Sequence, residues 1–409
     1  MSQRIGFTGP FSDVNFGDYA MLVNNYLDIA PDEAVLYAAD SAFLHKVVDH
    51  YLSDSSPEVR PVDLRTGATE GLDLTDASLT PADALPMFTD PQALLDSVAA
   101  LDVLVVNGGG YINGLWASPH RAPQLMQILG PVYAARRVGT PIVFTANGYG
   151  PFGAYEDFFF ALLNDLPGVA LHTRDDVYSP AHLRRLGVAS ERIQQVPDDL
   201  YFLSPGVPQA RETDLPSEYV VIESYAPVEE LAANLDTITR FVQTMRDVHG
   251  HAVVFLPLNL GRGGTDQAAF LAERVPDLHV VDIETHGFLP IETAAAVIGG
   301  ASLVVSMRYH AAVLAIQLEV PVVSALRPVL GSRQYYHSKT YGLLAKALGP
   351  DIDQSLFLQN GMYEALDEVS SSFGALTSSQ GRVIRSRKTG HDVTLKLERD
   401  ALIRQIRGV

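Results

Sequence analysis

Short, almost wholly apolar runs recur along this chain. At the carboxyl end of each, glycine, asparagine, arginine or histidine precedes a segment of helical length. Runs of this kind are strands buried on both faces, and alternation with helices predicts parallel sheets covered on both sides. In the first half the predicted strands are Arg4–Thr8, Ala34–Ala38, Leu101–Val106, Pro141–Ala146, Val169–His172 and Ile193–Val196. Helical patterns such as Asp18 to Ile29 and Ala122 to Arg137 lie between them. After a polar stretch rich in turn formers the alternation restarts with Tyr219–Ile222, Ala252–Leu256, His279–Val281, Leu303–Val305 and Val320–Val323. One long helix is expected from Val228 to His249. The expected fold class is therefore α/β, with two Rossmann-like domains. Their boundaries are placed at 1–205 and 218–353, with a linker at 206–217 and a helical extension at 354–409 that carries a polar break at Ser378-Ser379-Gln380-Gly381. Two such domains in tandem suggest a cleft facing both.

With 409 residues, two domains are the natural expectation. No cysteine is present, which removes disulfide and thiolate chemistry. No apolar run reaches membrane-spanning length, and the opening Met1-Ser2-Gln3-Arg4 runs straight into a strand, leaving no room for a secretory signal. A cytoplasmic enzyme is expected. The net charge of −19 argues against a general nucleic-acid binder, so a site for a small anion must be a local island of positive charge. Five lysines stand beside twenty-four arginines, a bias that composition alone does not explain. The basic cluster Arg382, Arg385, Arg387 and Lys388 reads either as a solvated loop or as a peripheral contact with an anionic membrane.

Ligands of open α/β sheets bind at the carboxyl ends of strands, which makes the residues there the candidates for chemistry. Ser306-Met307-Arg308-Tyr309-His310 follows the run Leu303–Val305 and opens a helix. Arg308 can fork onto a carboxylate or phosphate, and His310 can transfer a proton near neutral pH. The plainer reading is an ion-paired arginine and a helix-capping histidine. After the first strand, Asn15-Phe16-Gly17-Asp18 gives a tight turn and free amides; Asp18 suits a hydroxyl as acceptor or base, and a simple helix cap is the alternative. Asn107-Gly108-Gly109-Gly110-Tyr111-Ile112-Asn113 lets a ligand or another backbone come close, with Asn113, Tyr111 and Trp116 suited to a sugar face or to the core. It is neither a dinucleotide fingerprint nor a P-loop. Asn147-Gly148-Tyr149-Gly150-Pro151 is another strand-end loop. Thr173-Arg174-Asp175-Asp176 places a second arginine at a strand end, either facing a ligand or paired with a neighbouring aspartate. Asp198, in Val196-Pro197-Asp198, is able to fix it. No spacing of His, Asp and Glu builds a metal site.

Taken in order, N-x-G-D, a glycine triplet, G-x-G-P, R-D with a following serine, P-D and S-x-R-x-H resemble the polysaccharide pyruvyl transferase family. Here these are Asn15 to Asp18, Gly108 to Gly110, Gly148 to Pro151, Arg174 to Ser179, Pro197-Asp198 and Ser306 to His310. Ser338-Lys339 before Gly342-Leu343-Leu344 looks like the family's lysine-bearing segment, and the resemblance spans about residues 4 to 346. It implies a two-domain fold like that of GT-B glycosyltransferases. It also implies transfer of pyruvate from phosphoenolpyruvate, a co-substrate and not a cofactor, onto two hydroxyls of a saccharide or glycolipid acceptor. The product is a cyclic ketal, and phosphate is released. By this resemblance Arg174, Arg308 and Lys339 bind the donor and His310 is the proton donor. Asp18 steers or deprotonates the acceptor. Asn15, Gly17, Gly109, Gly110 and Asn113 complete the substrate-binding set. Tyr309 stands where many relatives carry an aliphatic residue, and Arg327-Pro328-Val329 through His337 forms an elaborate approach to Lys339. The competing readings are a GT-B glycosyltransferase using a nucleotide sugar, with Glu223 or Glu292 clasping a ribose, and a non-catalytic scaffold.

Overall fold

The computed structural model describes residues 3–408 except 13, 14, 71, 76–78, 167, 210–214, 330 and 331. Two compact units emerge. The first comprises Met1–Ser12, Gly17–Asp199 and Leu395–Val409; the second comprises Asp13–Phe16 and Leu200–Thr394. The linker expected at 206–217 includes residues 210–214, which lie outside the described residues.

The first unit is built on β1 (Arg4–Thr8), β2 (Glu33–Ala38), β3 (Glu58–Pro61), β4 (Val103–Val106), β5 (Gly109–Ile112), β6 (Ile142–Tyr149), β7 (Leu171–Thr173) and β8 (Ile193–Gln195). They form one sheet in the order β3-β2-β1-β4-β6-β7-β8, with β5 paired to β6. Every pairing is parallel. β4 is apolar throughout and buried on both faces, and Ile5 to Thr8 of the neighbouring β1 are buried as well. The helix Ala122–Val138 packs its Leu125, Leu129 and Val132 into the same core as Leu104 and Phe144.

The second unit has β9 (Tyr219–Glu223), β10 (Ala252–Phe255), β11 (Leu278–Val280), β12 (Leu303–Ser306), β13 (Val322–Ala325) and β14 (Leu358–Gln359), again all parallel, in the order β11-β10-β9-β12-β13-β14. In both sheets the strand order reverses beside the unit's first strand, between β1 and β4 and between β9 and β12. That reversal opens the crevice in which this architecture holds ligands.

Three expectations need correction. The long helix is two, Val228–Ala233 and Leu235–Asp247, divided at Asn234. The polar break at Ser378 to Gly381 is absent: one helix runs unbroken from Met362 to Arg407. Gln380 explains this, because its buried side chain accepts from Val322 N at 2.7 Å and donates to the Leu356 carbonyl. Tertiary hydrogen bonds thereby hold helical a segment whose local composition argues for a turn. The same helix supplies the basic cluster, which is therefore not a loop. Its Arg387 pairs with Asp351 and its Lys388 with Asp392, leaving them tied within the fold.

Candidate functional site

In the second unit the residues of interest collect at the carboxyl edge of the sheet, at the reversal between β9 and β12. Glu223 ends β9 and lies in register with Ser306 at the end of β12. Its carboxylate is buried and accepts from the Ser306 hydroxyl at 2.7 Å and from Met307 N at 3.0 Å. Its other oxygen lies 3.5 Å from Arg308 Nε. Burial raises the Glu223 pKa, an effect that Arg308, Ser306, Met307 and Arg327 oppose in that order. Glu223 is a buried acid placed beside Arg308.

Arg308 occupies the cap position of the helix Tyr309–Gln317, its backbone N donating to Ser306 Oγ at 2.9 Å. Its guanidinium donates to Asn259 Oδ1 and, at 3.1 Å, to the Gly263 carbonyl; Asn15 Oδ1 lies 3.5 Å from Nη1. One face of the group stacks 4.2 Å from the Tyr225 ring centre. Burial pulls the Arg308 pKa down, Glu223 and Tyr225 oppose this, and neighbouring Arg327 adds to the depression. His310 is buried in the first turn of the same helix, edge-on to Tyr309. Lys339, on the helix Gln334–Leu348, sits with Nζ 4.6 Å over the Tyr309 ring. Arg308, His310, Lys339 and Asn15 thus belong to one unit and one sheet edge.

The remaining predicted residues belong to the first unit. Gly17 and Asp18 lie in the first turn of the helix Phe16–Ile29, with Asp18 buried. Gly109 and Gly110 begin β5, so the backbone brought close by the glycine triplet is that of β6. Gly108 is the tightest of the three: a Cβ there would lie 2.3 Å from Asp199 Oδ2 and 2.8 Å from the Ala146 carbonyl. Asn113 caps the short helix Gly114–Ala117 by accepting from Trp116 N at 3.2 Å, and it donates to the Gly110 carbonyl at 2.7 Å. Both ends of its amide are therefore held by backbone. Arg174, at the end of β7, is buried against Asp198 at 3.3 Å. Gly148 leaves room for it, since a Cβ there would lie 3.3 Å from its Nε. Asp175 instead accepts from the amides of Val177, Tyr178 and Ser179 and so starts the helix Tyr178–Arg185.

Several residues escaped the sequence reading. Tyr225 follows β9 by two positions, and Asn259 with Gly261-Arg262-Gly263-Gly264 follows β10; the strand-end rule applied to these loops points to both. Asp199 and Arg399 form a buried hub: Asp199 accepts from Gly108 N, Asn25 Nδ2, Thr145 Oγ1 and Arg399 Nη1, and Arg399 also pairs with Asp28. Two hundred positions separate them in sequence, and no local pattern announces the pair. Among the described residues, no group of three or more His, Cys, Asp or Glu side chains is placed to hold a metal ion, and no helix is long and apolar enough to cross a membrane.

The profile of the polysaccharide pyruvyl transferase family matches residues 15–326, three quarters of the sequence and the whole span from Asn15 through His310. The chain belongs to the polysaccharide pyruvyl transferase family. A search of curated proteins gives no match. Among solved structures, this pyruvyl transferase family member is similar to the UDP-GlcNAc 2-epimerase from Neisseria meningitidis bound to UDP-GlcNAc. The identity is 10%, coverage is 99% of this chain and 100% of the other, and the TM-score is 0.58. It is also similar to S. aureus MnaA in a UDP co-structure (12% identity, 94% and 91% coverage, TM-score 0.57). Anabaena HepE in complex with UDP is a third (13% identity, 97% and 99% coverage, TM-score 0.52). At these identities the likeness is one of fold, and the fold is α/β of the GT-B type.

Proposed function

We propose that the protein transfers pyruvate from phosphoenolpyruvate to two hydroxyls of a saccharide, forming a cyclic ketal and releasing phosphate. The observation that carries this reading is the second unit's sheet edge. There Arg308, beside buried Glu223 and stacked on Tyr225, is followed after one residue by His310, with Lys339 over the intervening Tyr309. In a chain of net charge −19 this is a local collection of cations beside an imidazole. Phosphoenolpyruvate carries a carboxylate and a phosphate close together and needs cationic anchors plus an acid, and its family places the chain with enzymes of polysaccharide pyruvylation.

In this scheme Arg308 binds the donor as an anion and His310, as imidazolium, gives a proton to the methylene carbon. The adjacent carbon gains positive character and takes the oxygen of one saccharide hydroxyl, whose proton passes to a base. A second hydroxyl oxygen then bonds to the same carbon as the bond to the phosphate oxygen breaks; its proton returns to His310, and phosphate leaves with the pair of electrons. An imidazolium is an acid suited to neutral pH. No cofactor enters the scheme. The nucleotide-sugar reading keeps Glu292 as a candidate ribose ligand, whereas Glu223 is buried beside Ser306, Met307 and Arg308.

The test is a thermal-shift titration with phosphoenolpyruvate beside UDP-sugars, since a ligand selective for the folded state raises Tm. A saturable rise with phosphoenolpyruvate is expected, weakened by about 1.5–3 kcal/mol in Arg308→Ala. His310→Ala is expected to bind and not turn over. A rise with UDP-sugars alone would replace this reading with glycosyl transfer.

A further inference from the structure

The second unit holds another arginine that neither its family motif nor the scheme above employs. Arg327 follows β13 by two positions, at the same carboxyl edge as Arg308. Its guanidinium lies 3.9 Å from the centre of the Tyr225 ring and 4.8 Å from that of Tyr336, whose hydroxyl accepts from Nη2. Tyr225 is thus shared by two guanidiniums, which brings their central carbons within about 8 Å of each other. Stacking occupies the faces of a guanidinium and leaves its in-plane N–H groups to be hydrogen-bonded.

We infer that Arg327 is a second anion anchor, built to hold the phosphate of a ligand whose carboxylate Arg308 holds. This rests on the donor assignment above and extends it to a residue not previously implicated. Arg308 has a carboxylate partner in Glu223, whereas the polar partner of Arg327 among the described residues is a neutral hydroxyl. One buried carboxylate therefore faces two fixed guanidiniums, and the two repel: Arg327 contributes to lowering the pKa of Arg308. A fold that keeps like charges this close retains a repulsion that an anion entering between them relieves. Aromatic faces hold both groups in place without neutralising them. A monoanion satisfies one of the anchors; a ligand bearing a carboxylate and a phosphate satisfies both, which selects phosphoenolpyruvate over pyruvate.

The full-length protein, with Arg327→Gln and Arg327→Lys, is titrated calorimetrically with phosphoenolpyruvate, inorganic phosphate and pyruvate. The expected result is at least a tenfold loss of affinity for phosphoenolpyruvate and for phosphate in Arg327→Gln. Arg327→Lys recovers part of it by keeping the charge, and any pyruvate affinity changes less than twofold. Equal losses in the two variants would show a packing role and overturn the proposal, as would unchanged phosphoenolpyruvate binding in Arg327→Gln. If the native protein ignores phosphoenolpyruvate yet binds phosphate, and Arg327→Gln loses that binding, the anchor stands and the donor assignment falls. If it binds none of the three, both fall.

Discussion

At the residue scale, Glu223 shows how a buried charge serves a site at a cost to the fold. Burial raises its pKa above the unfolded value, so the folded state binds the proton more tightly than the unfolded chain does. A group of this sign stabilises fully below the unfolded value, near pH 4.3, and that contribution is lost as pH climbs through the folded value. Glu223→Gln keeps acceptors for Ser306 and Met307 and removes the ionisation. Urea unfolding across pH 4 to 8 is expected to show the native protein losing stability relative to this variant as pH rises; parallel curves would refute the assignment. Gly108 makes a second prediction here. The space a methyl group needs is already filled by Asp199 and the Ala146 carbonyl, so Gly108→Ala is expected to destabilise the first unit by about 1–3 kcal/mol, read from chemical denaturation. Both positions were visible as strand-end residues in the sequence. What each touches was not, because the contacts of Glu223 with Ser306 and of Gly108 with Asp199 span 83 and 91 positions.

At the scale of elements, the strands were the most legible part, since a strand buried on both faces must be apolar along its whole length. The elements missed lack that signature. β3 is the edge strand Glu-Val-Arg-Pro, β5 begins with two glycines, and β14 has two residues. Helix starts are more revealing than helix lengths. Asp175, weighed in the sequence as a partner for Arg174, collects three backbone amides and the Ser179 hydroxyl, the work of a cap. Asp175→Ala is expected to cost about 1–2 kcal/mol, with Asp175→Asn recovering much of it, since the amide oxygen can still accept. Loss of only a few tenths of a kcal/mol in a urea titration of Asp175→Ala would mean that packing, not the cap, fixes this helix. Arg174, released from Asp175, is left to the buried carboxylate of Asp198.

For the whole molecule, the division into two sheets could be read from the restart of the strand–helix alternation, but the ownership of the C-terminal helix could not. Residues 362–394 of that helix count with the second unit and 395–407 with the first. Leu395, Leu402 and Ile406 are buried, and Arg399, also buried, pairs with both Asp199 and Asp28. Removing one partner of such a cluster leaves buried charge uncompensated. Arg399→Met is therefore expected to destabilise the first unit by about 3–5 kcal/mol, and adding Asp199→Asn to recover part of the loss. Hydrogen exchange localises the effect: protection should fall around β1 and β4 while that of β9 and β12 holds, and a uniform loss would contradict the assignment.

The Arg399 hub also has a consequence in time. A ribosome delivers Asp28 and then Asp199 long before it delivers Arg399, 200 positions further on. Until then the nascent first unit carries both acids with their basic partner still untranslated. The half of the protein synthesised first therefore gains the basic partner of its two acids only once residue 399 has been made.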